Sequence, residues 1–133
     1  MILSKITLRN FKVYYGEQAI SCGIKDLKHP VVLIGGNTGS GKTSIIEAIK
    51  LCLYGSQAEQ VLTGFKSYQS LLKALHNKKA LSKNSKSFAV SVNFLLDRTK
   101  ELEEVEIERY WVLNNSGKYA EHLEIRLNGD EIE

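Results

Sequence analysis

Proline, cysteine and long apolar runs are all scarce in this chain. Its 133 residues include one proline, Pro30, and two cysteines, Cys22 and Cys52. Two thiols cannot frame a disulfide scaffold, and they fit a reducing compartment, so a cytoplasmic location is expected. No stretch of 18 apolar residues occurs, which leaves no sequence for a membrane-spanning helix and no expected membrane partner. The opening residues, MILSKITLRNF, alternate apolar and polar side chains and lack the continuous apolar core of a secretory signal, so no export is expected. Acidic residues are missing altogether from 60–96, where six lysines stand, and residues 97–133 reverse the balance with eleven acids against five bases. The middle block could touch a polyanion and the last would repel one. Hydrophobic residues at 43% and charged residues at 25% exclude a disordered or fibrous chain, and the length suits one domain.

Alternation predicts most of the elements. Residues 2–9 read as a strand with Ile2, Ser4, Ile6 and Leu8 on one face, and residues 11–20 as a second strand with Gly16 near its middle. After a polar connection over 21–29, the run VVLI at 31–34 has the composition of a strand buried on both faces. A helix is predicted over 43–54, with Ile45, Ile49, Cys52 and Leu53 on one face and Gly55 ending it. A second helix is predicted over 67–81 and a loop over 82–87. Three alternating segments follow, at 88–96, 104–113 and 122–129, with Asn114–Gly117 and Asn128-Gly129 as turns and the start of a further strand from Asp130.

Between the apolar run and the first helix lies Gly36-Asn37-Thr38-Gly39-Ser40-Gly41-Lys42-Thr43, which matches the phosphate-binding pattern G-x-x-x-x-G-K-[ST]. Each residue type has a reason to be there. Glycines let the backbone wrap closely around phosphate oxygens and expose a nest of N–H donors. The helix that follows presents its positive dipole end to the anion. Lys42 reaches the β- and γ-phosphates, the Thr43 hydroxyl is placed to ligate Mg²⁺, and Ser44 completes the first helical turn. The expected ligands are therefore ATP and Mg²⁺.

The residues around this loop carry a resemblance. Leu3 to Lys12, L-x-K-I-x-L-x-N-F-K, followed by LIGGNTGSGKTSIIEAIKLCLYG at 33–55, resembles the N-terminal half of SMC/SbcC/RecF-type ATPase heads, which are ABC-class ATPases acting on DNA. Within that group NFKVYYGEQAI, IEAIKLCLYG and SYQSLLKALHNKKA look most like the DndD family of DNA sulfur-modification proteins, with SbcC-like repair ATPases sharing much of the same string. The resemblance implies an α/β fold: a P-loop NTPase half-domain with a mixed sheet, an antiparallel section and two main helices. It implies that Lys12, standing where an arginine is common, approaches a nucleotide phosphate. It further implies a C-terminal lobe of the same chain, a coiled coil between the lobes, ATP-driven pairing of heads into a homodimer, DNA as partner, and modification or nuclease proteins alongside. No run of four apolar residues followed by Asp-Glu, no S-G-G and no heptad pattern occurs here, so no catalytic residue is expected within residues 1–133, which should form a single N-terminal lobe with little turnover alone.

Further residues are candidates for a role. Lys78, Lys79, Lys83 and Lys86, with Lys66 and Lys73, are candidates for DNA contact, against a solvated loop. Arg109 interrupts an apolar strand face and needs a partner or a route to solvent; near a sheet edge it is expected to snorkel. Tyr14, Tyr15, Tyr110 and Trp111 could stack on bases but on alternating strands are expected to pack. His76 and His122 have no partners at metal-ligand spacing. A small-metabolite kinase would need an acceptor base and an arginine-bearing lid, neither of which is evident, and a non-hydrolysing structural lobe is the other alternative.

Overall fold

The computed structural model describes residues 2–21, 42–60, 67–98 and 101–131. The strand expected at 31–34, the loop at 36–41 and Lys66 lie outside the described residues, as does the parallel part of a mixed sheet that the 31–34 strand would supply. What is described is a six-stranded sheet, antiparallel throughout, with helices α1 (Lys42–Tyr54), α2 (Tyr68–Leu75) and α3 (Lys78–Ser82). The strands are β1 (Ile2–Phe11), β2 (Tyr14–Ser21), β3 (Ser87–Arg98), β4 (Glu101–Leu113), β5 (Tyr119–Leu127) and β6 (Asp130–Glu131), in the spatial order β2-β1-β3-β4-β5-β6.

The strand periodicity has a clear physical outcome. Phe88, Val90 and Val92 of β3 are fully buried beside Ile6 and Leu8 of β1 and Trp111 of β4. Ile45, Ala48, Leu51 and Cys52 of α1 and Leu71, Leu72 and Leu75 of α2 close this core from the helical side. The expected apolar face of α1 is thus partly revised: Ala48 and Leu51 are buried, while Ile49 and Leu53 are only half-buried against the core. Asn128 and Gly129 adopt φ of 51° and 90°, the two positive values that a tight two-residue hairpin demands. Gly55, at φ 58°, ends α1 as expected.

Three expectations are corrected. In β1 the register against β3 slips between Leu3 and Lys5, so Ser4 is an extra, bulged residue. Leu3 therefore packs against the core with Ile6 and Leu8, and the simple alternation through Ile2 and Ser4 fails. The second strand starts at Tyr14, because Phe11 still belongs to β1 and pairs with Tyr14 across a two-residue turn. The helix expected over 67–81 is two helices. At the break, the Leu75 carbonyl accepts from Lys12 N–H (2.7 Å) and the Asn77 N–H donates to the Asn10 carbonyl (2.8 Å). Both groups would have to bond within the helix for it to continue, so tertiary pairing with the β1–β2 turn wins over local propensity.

Candidate nucleotide-binding site and its surroundings

Helix α1 opens at Lys42, with Thr43 and Ser44 in its first turn, and that turn holds no acidic residue. No carboxylate there competes with an anion for the positive helix end, so the described start of the helix fits a phosphate group. Residues Gly36, Asn37, Thr38, Gly39, Ser40 and Gly41 lie outside the described residues. Ser44 is buried.

The N-F-K string has a distinct structural job at each position. Asn10 takes a left-handed conformation (φ 52°), accepts from Gly16 N–H through Oδ1 (2.9 Å), and donates through Nδ2 to Ser85 Oγ (3.0 Å). Asparagine tolerates that conformation better than most residues. Phe11 is fully buried and lies against Phe88, with ring centroids 6.3 Å apart. Lys12, at φ 51°, forms the turn, and its Nζ lies 2.8 Å from Glu47 Oε2 of α1. The ammonium expected near the nucleotide thus sits on the flank of α1. Glu47 was not singled out from the sequence; its place four residues past Thr43 on the same helix was the available signal.

Arg109 is corrected: it does not snorkel to solvent. Its Nε donates to the Cys52 carbonyl (3.0 Å) and its Nη1 to Glu121 Oε2 (3.1 Å), with the side chain only 13% exposed. The Cys52 carbonyl belongs to the last turn of α1, so Arg109 caps the C-terminal end of the helix. Gly55 leaves room for it, since a Cβ there would come within 2.8 Å of Arg109 Nη1. Glu121 also accepts from Trp111 Nε1 (2.8 Å) and from the Tyr68 hydroxyl, tying α2 to the same carboxylate. Beside this cap, the Cys52 thiol donates to the Ile107 carbonyl (3.3 Å), and burial pushes its pKa up to about 12. It packs as a hydrophobe and is not a nucleophile at neutral pH.

The lysines keep their candidacy as a charged surface. Lys78 and Lys79 on α3 and Lys83 and Lys86 in the following loop are all exposed, as is Lys73 on α2. Lys79 Nζ lies 4.6 Å from the centroid of the Tyr15 ring, which is 42% exposed. The other aromatic candidates are packing groups. Trp111 is fully buried and stacks on Phe88 at 4.8 Å, Tyr14 packs against the core, and Tyr110 stacks on His122 at 4.7 Å. His76 is buried between the Tyr119 hydroxyl at Nδ1 and the Ser85 carbonyl at Nε2, each 2.8 Å away. Burial lowers its pKa. Among the described residues no three histidine, cysteine or carboxylate side chains gather to hold a metal. No described helix is long and apolar enough to cross a membrane.

The far face of the sheet carries Glu106 and Glu108 of β4 and Glu124 of β5. Arg126 pairs there with Glu106, Glu108 and Glu124, as on a charged, solvated strand face.

The sequence profile of a family described as an AAA domain matches residues 5–133. The chain is also 30% identical over 121 residues to the protein named DNA double-strand break repair Rad50 ATPase of Nanoarchaeum equitans (strain Kin4-M). That match covers 91% of this chain and 12% of the Nanoarchaeum protein, so the chain spans a small part of that relative's length.

Proposed function

This chain belongs to the AAA-domain family, and from that premise we propose that it is the ATP-binding N-terminal lobe of a DNA-associated ATPase head of the SMC/Rad50 type. One observation carries the proposal. The phosphate-binding pattern Gly36–Thr43 runs directly into a 13-residue helix that opens at Lys42, has no acid in its first turn and has Lys12 held on its flank.

In this proposal the loop amides of 36–41 and Lys42 hold the phosphates, Thr43 ligates Mg²⁺, and Ser44 backs the first turn. Bound ATP with Mg²⁺ supplies the free energy of γ-phosphate cleavage. The water-activating carboxylate, the signature contact and the second metal ligand come from the C-terminal lobe of the same polypeptide, and two heads pair around ATP. Lys78, Lys79, Lys83 and Lys86 contact DNA phosphates. The protein acts in the cytoplasm.

Two DNA tasks remain within this frame. The strings NFKVYYGEQAI and IEAIKLCLYG support phosphorothioate modification with modification partners. The likeness to a repair ATPase supports break repair with a nuclease partner. Loss of phosphorothioate from genomic DNA after gene deletion marks the first, and sensitivity to double-strand breaks marks the second.

The direct test is equilibrium binding of labelled ATP to the full-length protein with Mg²⁺. Lys42→Ala abolishes binding if the P-loop holds the phosphates; unchanged affinity overturns the proposal. ATP bound but never hydrolysed, with or without DNA, would point to a purely structural lobe.

A further inference from the structure

We propose that Asn77 is a positioning residue for Lys12, holding its ammonium where it neutralises Glu47 beside the phosphate-binding end of α1. This rests on the P-loop proposal above and gives a role to Asn77, a residue outside the phosphate-binding pattern.

Asn77 is buried, and both ends of its side-chain amide are used. Nδ2 donates to the Lys12 carbonyl at 2.8 Å, and Oδ1 accepts from Ala80 N–H at 3.0 Å, capping α3. The Asn77 backbone N–H donates to the Asn10 carbonyl at 2.8 Å, and Lys12 N–H donates to the Leu75 carbonyl at 2.7 Å. The turn that carries Lys12 is therefore clamped on both sides of that residue.

The clamp is needed because Lys12 sits at φ 51°. That conformation is unfavourable for a side-chain-bearing residue that has no local hydrogen bond of its own to offer. The Lys12–Glu47 pair, with side chains 30% and 21% exposed, is too weak to hold such a turn alone. Released from Asn77, the turn relaxes and the lysine stem points elsewhere.

The consequence is electrostatic. Glu47 lies five residues along α1 from Lys42, or roughly 7.5 Å up the helix axis. An unneutralised carboxylate there falls within a Debye length of phosphates held at the helix start and opposes them. Lys12 cancels that charge, and Asn77 keeps Lys12 in place.

Asn77→Asp separates the two jobs of the side chain. An aspartate caps α3 as well as asparagine does, but its carboxylate cannot donate to the Lys12 carbonyl. The measurement is equilibrium affinity of full-length protein for labelled ATP with Mg²⁺, together with the melting temperature. The expected result is affinity weakened about three- to tenfold, close to the effect of Lys12→Ala. In a Lys12→Ala background Asn77→Asp costs little further affinity, because the ammonium that Asn77 positions is already gone. Asn77→Ser, which caps without adding charge and is too short to reach the turn, repeats the pattern and serves if the aspartate variant does not fold. A purely structural Asn77 would lower affinity equally in both backgrounds, and that result overturns the proposal. So does unchanged affinity in Asn77→Asp while Lys12→Ala weakens binding. Retention of ATP by Lys42→Ala instead overturns the P-loop proposal itself, which distinguishes the two failures.

Discussion

Replacing Arg109 with leucine should unfasten α1 from the sheet without touching its N-terminal end. The guanidinium makes two charge-assisted hydrogen bonds, to the Cys52 carbonyl at 3.0 Å and to Glu121 at 3.1 Å. Hydrogen bonds to charged groups contribute about 1.5–3 kcal/mol, and a cation at a helix C-terminus adds about 0.3–1 kcal/mol. Glu121 keeps Trp111 and Tyr68 as donors, so its loss is partial. Arg109→Leu should therefore cost about 2–4 kcal/mol. For a chain of this length each kcal/mol lowers the melting temperature by about 3–4 °C, giving a drop of about 7–14 °C. Arg109→Lys should recover at most half, since one ammonium cannot serve both acceptors as the planar fork does. Gly55→Ala gives an internal control. Its Cβ would meet Arg109 Nη1 at 2.8 Å, so its cost should shrink in the Arg109→Leu background to the backbone strain of a non-glycine residue at φ 58°. The assay is thermal and urea unfolding of the single and double variants. A loss below about 0.5 kcal/mol for Arg109→Leu would show the guanidinium to be an ordinary surface charge and refute the cap.

Three further outcomes are expected. In a Cys22→Ser variant, Cys52 should resist a thiol reagent at neutral pH until the protein is unfolded, because burial raises its pKa to about 12; stability should also fall as pH rises above about 9, where only the unfolded thiol ionises. His76 has its pKa lowered by burial, so the unfolded state takes up the proton first as pH falls. Its contribution is complete above about 6.5 and is lost below that, and His76→Gln should flatten the urea midpoint between pH 7 and 5 relative to wild type. Neutralising Lys78, Lys79, Lys83 and Lys86 together should reduce the slope of log affinity for DNA against log salt in the full-length protein by up to about 4, and an unaltered slope would return these lysines to a solvated surface.

The sequence was most legible where one periodicity met one face. The 88–96 strand, with Phe88, Val90 and Val92 buried, needs only alternation to be seen. Asn128-Gly129 is equally local, because two positive φ values are demanded by the turn itself. The pattern Gly36–Thr43 is read from spacing alone, because it is a short contiguous motif.

Tertiary structure decided the junctions. No local signal says that α2 must stop at Leu75, because the stop comes from a hairpin more than sixty residues earlier whose backbone takes the bonds a longer helix would use. Ser4 bulges because β1 must register with β3, which lies far along the chain. Arg109 reads as an interruption of an apolar face until α1 brings the Cys52 carbonyl beside it and β5 brings Glu121. Sequence by itself determined the strands over 88–96 and 104–113 and the turn at Asn128-Gly129, where short-range sterics and repeating burial are sufficient. Hydrogen-bond partners distant in sequence decided where α2 breaks, which charges are neutralised, and how the turn carrying Lys12 is held against the helix that follows the loop.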